Sequence, residues 1–190
     1  IGDIDQLPCI GAGNILKDII KSCKIPVINL VKIFRQAQES KIVTTAHSIN
    51  KSIMPDLTNK ITDDLFFMKL YNEEIIGNTV IDLVTNRLPK KYNVRPRDIQ
   101  VLTPMKISSL GSEVLNEKLQ FIINPIGDYI QYGNTIFRIG DKVMQIKNNY
   151  DNGVFNGDTG YITDVNTEDK TVSVTFKNNT ILYQKTELDE

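Results

Sequence analysis

Three short strings carry residue types that could do chemistry. The first is Gly2-Asp3-Ile4-Asp5-Gln6-Leu7-Pro8, followed by Gly11-Ala12-Gly13. A Gln on a loop after a strand can donate to, or accept from, a phosphate oxygen or a water. The proline narrows the loop, so the amide is presented in one place. The second string is Phe34-Arg35-Gln36-Ala37. An Arg at a helix start, directly after a strand, is placed to reach from a sheet edge into a cleft. There its guanidinium can neutralise a phosphoryl group in transfer. The third string is Phe137-Arg138-Ile139-Gly140-Asp141-Lys142-Val143-Met144-Gln145, then Asn148-Asn149-Tyr150-Asp151, then Val154-Phe155-Asn156-Gly157-Asp158-Thr159-Gly160. Each string has a plain structural alternative. Gln6 could serve a loop hydrogen bond, Arg35 a salt bridge, and Asn156-Gly157 a tight hairpin turn.

The elements that must position these residues fall into two styles. Asn14 can cap a helix carrying Ile15, Leu16, Ile19 and Ile20. Val27–Phe34 reads as a strand, residues 35–50 as a helix, and Leu65–Met68 as a short buried strand. Glu73–Leu88 has apolar residues at helical spacing. Ile99–Thr103 reads as a strand stopped by Pro104, and Ser109 or Ser112 as the cap of a helix bearing Val114, Leu115, Leu119 and Ile122. This alternation predicts an α/β layer with a mostly parallel sheet. After Asn124-Pro125 the pattern changes. Ile136–Ile139, Lys142–Lys147, Gly160–Val165, Thr171–Phe176 and Thr180–Tyr183 are short alternating stretches separated by Gly, Asn and Asp turns. They predict a small antiparallel barrel of SH3-like size.

Composition narrows the function classes. The chain has 190 residues, 41% apolar and 24% charged, with 22 basic and 23 acidic residues. That is ordinary for a globular chain able to bury a core, and it excludes a chain-wide basic footprint, though not a local one. The one basic cluster of note runs from Arg87 to Arg97, either a solvated face or a phosphate-tracking surface. No apolar run approaches the length of a membrane span. Two cysteines, Cys9 and Cys23, and one histidine, His47, cannot complete a structural zinc site. The cysteines read as reduced thiols in or near a core, and His47 as a structural residue on a helix. No G-x-x-x-x-G-K-[ST] loop is present, so there is no self-contained nucleotide site. The chain opens Ile1-Gly2-Asp3 without Met, which leads us to expect an internal piece of a longer protein.

Taken in order, the three strings resemble the RecD-like branch of superfamily 1 helicases, the family of the exodeoxyribonuclease V α-subunit. G-D-x-x-Q-L-P looks like motif III and R-Q-A like motif IV. Val101-Leu102-Thr103-Pro104-Met105, Gly111 and Leu115-Asn116 with Leu119-Gln120 are similar to the second motor domain. The third string is similar to the entry into an SH3-like insert. The resemblance implies an α/β fold: a partial RecA-like motor domain followed by a small all-β SH3-like barrel. Its divisions are 1–25 (tail of the first motor domain), 26–134 (second motor domain, incomplete) and 135–190 (SH3-like insert).

The same resemblance implies roles. Gln6 and Arg35 would be the catalytic and ATP-binding pair that reads the γ-phosphate. Thr103, Pro104, Asn148, Asn156 and Gly157 would lie at the DNA; for Thr103 a strand-end hydrogen bond is the alternative. The activity implied is ATP-dependent DNA unwinding, 5′-to-3′, in cytoplasmic recombination or repair. ATP and Mg2+ would be held by the parent protein, with none held by this chain alone. Partners would be single-stranded or duplex DNA, other domains of the same chain and, possible in this family, helicase–nuclease subunits, with no membrane. An incomplete sheet would expose an edge, so self-association of the isolated chain is expected. The competing reading is a non-catalytic SH3-like module, binding protein or nucleic acid, on an α/β scaffold.

Overall fold

The computed structural model describes residues 2–6, 13–30, 39–177 and 179–189. The chain divides into two compact units, residues 1–69 and 70–190.

In the first unit, helix α1 (Ile15–Ser22) starts where Asn14 predicts. The Asn14 side-chain oxygen accepts from the Lys17 N–H, and the helix ends at Cys23 in the left-handed region. Gly2 lies against this helix, because a Cβ there would come within 2.7 Å of Leu16 Cδ2. Helix α2 (Lys41–Asn50) is capped by Ser40, whose Oγ accepts from the Val43 N–H. Asp64 completes the cap, accepting from Ser40 Oγ at 2.5 Å and from the N–H of Lys41 at 2.8 Å. Lys41 Nζ pairs with Asp63 at 2.9 Å. A carboxylate at a helix N-terminus satisfies donors that have no partner inside the helix.

In the second unit, helix α3 (Glu73–Asp82) is capped by Asn72 and runs through a π-turn, Leu83–Arg87, into helix α4 (Leu88–Tyr92). Pro89 explains the irregularity. It has no N–H to continue the ladder, and the wider turn before it absorbs the misfit. Helix α5 (Ser112–Ile123) has Gly111 at its N-cap and no side-chain cap. Its first donors are met by backbone instead: Ser112 N–H donates to Met105 O and Glu113 N–H to Lys106 O. A Cβ on Gly111 would stand 2.3 Å from Lys106 O, so this wrap requires glycine. The sequence expectation of a serine cap is corrected on that ground.

Strands β1 (Tyr129–Tyr132) and β2 (Thr135–Arg138) form an antiparallel hairpin. Strands β3 (Lys142–Met144), β4 (Thr159–Asn166), β5 (Thr171–Thr175) and β6 (Thr180–Gln184) form an antiparallel sheet in sequence order. Alternation puts Val172, Val174, Ile181 and Tyr183 inside, with Ile130, Val154, Ile162, Val165 and Phe176 closing the core. The hairpin's first strand, Tyr129–Tyr132, is an addition to the stretches read from sequence.

Several expectations for the earlier part of the chain are corrected. Among the described residues no strand precedes Tyr129. The expected parallel sheet is therefore not formed by Val27–Leu30, Leu65–Met68 or Ile99–Thr103; residues 31–34 lie outside the described set. At Phe67 the reason is visible. The Asn59 side-chain amide donates to Phe67 O and accepts from its N–H, both at 2.8 Å. One side chain thus takes the place of a neighbouring strand. Phe66, Phe67 and Met68 are exposed instead of buried. Cys23 is exposed at a helix end, and His47, with Ile42 and Ile49, is exposed on α2. Cys9 lies outside the described residues.

Candidate nucleic-acid interface

Gln6 sits in an exposed turn of the first unit. Its Nε2 donates to Asp3 Oδ2 at 3.0 Å, while Asp3 Oδ1 accepts the Asp5 N–H at 3.0 Å. The Asp5 backbone bond, followed by the Gln6 bond, holds the Asp3 carboxyl below its usual range. The turn thus fixes the amide by one edge. Arg35 lies outside the described residues, so no geometry joins it to Gln6.

Thr103 and Pro104 belong to the second unit. Thr103 Oγ1 donates to Leu110 O at 2.8 Å, closing the loop that leads to α5. The hydroxyl is engaged in structure, and Pro104 beside it is exposed.

Asn148, Asn156 and Gly157 are brought together on the long β3–β4 connection. Asn148 Oδ1 accepts from the Asn156 N–H at 3.0 Å. Asn149 and Val154 exchange both backbone bonds, at 2.8 and 3.0 Å. Gly157 has φ of +96°, which only glycine adopts freely, and its N–H donates to Gln145 O at 2.9 Å. The Gln145 N–H returns a bond to Asp158 O at 2.8 Å. Asp158 also caps the turn, its carboxylate accepting from the Phe155 N–H at 2.8 Å. A turn-forming role for Asn156-Gly157 is therefore real, and it leaves their outer surface exposed.

Below this loop lies a residue that the sequence reading did not single out. Gln145 is 3% exposed, and its Oε1 accepts from Tyr183 Oη at 2.8 Å within the core. Its Nε2 is buried and has no protein partner. The available signal was strand alternation, which continues Val143 inward and Met144 outward to place Gln145 inward. Tyr150 and Phe155, exposed on the same loop, were also not assigned a role.

Gly140-Asp141 proves to be structural. Asp141 accepts from the Arg138 N–H at 2.8 Å, from Asn124 Nδ2 at 2.7 Å and from Gln120 Nε2. It ties the end of α5 to the turn between β2 and β3. The basic run is partly neutralised at its flanks: Arg87 pairs with Asp82, and Arg95 grips both oxygens of Asp98, holding that carboxyl low. Among the described residues no group of His, Cys, Asp or Glu could hold a metal ion. No described helix is long and apolar enough to cross a membrane.

Comparison with known proteins adds an independent observation. Residues 115–176, from within α5 through Phe176, match the model of the ATP-dependent RecD-like DNA helicase SH3 domain. The chain is also similar to the ATP-dependent RecD2 DNA helicase of Deinococcus radiodurans, with 32% identity over 184 residues. That alignment takes in 95% of this chain, and the chain spans 23% of the relative's length. The resemblance read from the three strings is thereby borne out: nearly the whole chain is similar to a RecD2 DNA helicase, and residues 115–176 are similar to the SH3 domain of RecD-like helicases.

Proposed function

We propose that the chain works as part of an ATP-dependent DNA helicase of the RecD-like kind, moving 5′-to-3′ in recombination or repair in the cytoplasm. The observation that carries this reading is the RecD2 similarity running through nearly the whole chain. On this reading residues 1–25 and 26–134 contribute to two RecA-like motor domains, and residues 135–190 form the SH3-like insert. Gln6 and Arg35 are the side chains directed to the γ-phosphate. The fixed turn around Gln6 supports its part, since an amide held by Asp3 is already oriented. The sequence holds no phosphate loop of the G-x-x-x-x-G-K-[ST] kind. We therefore assign these residues a contributing role and expect no ATP hydrolysis by this chain alone.

The DNA-facing residues on this reading are Thr103, Pro104, Asn148, Asn156 and Gly157. What supports the last three is their convergence on one pinned, exposed loop. Arg35→Ala in the full-length protein tests the motor assignment. DNA-stimulated ATPase activity should fall on the order of a thousandfold if the guanidinium meets the transferred phosphoryl group. Near-normal activity would overturn the role. The self-contained β core favours one competing reading, an SH3-like binding module without motor activity. A G-x-x-x-x-G-K-[ST] loop upstream in the same reading frame decides against it.

A further inference from the structure

We propose that Tyr150 and Phe155 form a base-stacking contact for single-stranded DNA on the β3–β4 loop. This rests on the helicase reading above and adds to it the part of the nucleic acid that the loop meets.

Tyr150 is 76% exposed and Phe155 45% exposed. Their rings meet edge to face, with centroids 5.8 Å apart and planes at 74°. In such a pair only one face of one ring is covered by the other ring. Most of Tyr150 and just under half of Phe155 stay in solvent, where a flat partner can reach them. Phe155 is turned outward by its neighbour, because Val154 is 2% exposed and anchored in the core.

The rings are carried on a fixed backbone. Gln145 holds Gly157 and Asp158, Asn149 holds Val154, and Asp158 holds the Phe155 N–H. Beneath them, Tyr183 holds Gln145 by a buried hydrogen bond. A ring already held in place loses little freedom when a ligand arrives, so more of the stacking energy appears as affinity.

Charge selects the face of the ligand. Between Met144 and Asp158 the only cation is Lys147, which pairs with Asp189 at 2.8 Å, and the loop itself carries Asp151 and Asp158. This is a poor surface for phosphates. It suits bases, which every strand presents as flat π faces and which a duplex hides in its stack. The amides of Asn152 and Asn156 stand on the same loop and can address base edges.

The test is fluorescence anisotropy of the protein with labelled oligothymidine, with an abasic strand of equal length and with duplex. Tyr150→Ala/Phe155→Ala should weaken oligothymidine binding about tenfold or more and leave abasic-strand binding unchanged. Tyr150→Leu keeps an apolar side chain at a largely exposed position, and it should still weaken oligothymidine binding severalfold. Equal affinity of wild type and variants for oligothymidine overturns the proposal, as does an equal loss on the abasic strand. If Asn148→Ala and Asn156→Ala weaken binding while the aromatic variants do not, the DNA-facing loop stands and the stacking contact falls. If the wild type binds none of the three probes, both fall together.

Discussion

The β region from Tyr129 onward and the region before it treat apolar sequence in opposite ways. In the β region nine buried residues form one core, and β1, β4 and β5 each pair with the next strand a few residues on. Before it, Ile28, Leu30, Ile61 and Leu102 stand largely exposed on segments without ladder bonds. The difference lies in where partners come from. A hairpin supplies its own second strand, whereas a parallel strand needs one from a dozen or more residues away. Hydrophobic sequence is common to both regions, and local pairing is not.

The sharpest way to break this comparison is to remove equal amounts of apolar surface from each region. Ile162→Ala, at a site 2% exposed, should cost about 2–5 kcal/mol in urea unfolding followed by circular dichroism. Ile28→Ala, at a site 89% exposed, should stay within about 0.5 kcal/mol. Equal effects would mean that the exposed segment is buried in solution.

A second change tests whether α5 belongs energetically with the β region. Asp141→Ala removes the acceptor shared by the Arg138 N–H, Gln120 and Asn124. A loss of about 1–3 kcal/mol is expected by the same measurement, because half-buried donors lose an acceptor. Asp141→Asn retains one carbonyl oxygen and should lose less. No change in either variant would detach the helix from the sheet.

The smallest effect concerns pH and the first unit. Hydrogen bonds from Lys41 and Ser40 hold the Asp63 and Asp64 carboxyls below their ordinary range. Folded values below unfolded ones mean stabilisation that is complete above about pH 4 and is lost as pH falls through the folded values. Amide exchange, corrected for its intrinsic rate, should show α2 losing protection below about pH 4 while β5 changes less. Equal loss in both would show that the two regions open as one.

What the sequence made legible follows the same division. Asn14 announced α1 because a cap acts over three residues, and Asn156-Gly157 announced a turn by a similarly local rule. The strands expected before residue 128 depended on distant neighbours, and at Phe67 an asparagine side chain took the neighbour's place. The serines near α5 suggested a side-chain cap, but the backbone wrap through Gly111 depends on a contact that no periodicity reveals. Of the candidate site, Asn148, Asn156 and Gly157 came together because they flank one loop. Gln6 and Arg35 stand far apart in sequence, and nothing local could join them. Gln145 was missed because polar residues are not sought on the inward face of a strand.

The β3–β4 connection has a consequence for how this loop can vary. It is closed by two successive rungs, Gln145 with Gly157 and Asp158, then Asn149 with Val154. A residue added between Tyr150 and Gly153 lengthens only the tip. One added between Ile146 and Asn148 shifts one side of the loop against the other, separating the Asn148 oxygen from the Asn156 N–H. Natural insertions in this loop should therefore gather at its tip, and a grafted tag or peptide should be accepted at Asp151-Asn152 and nowhere below it.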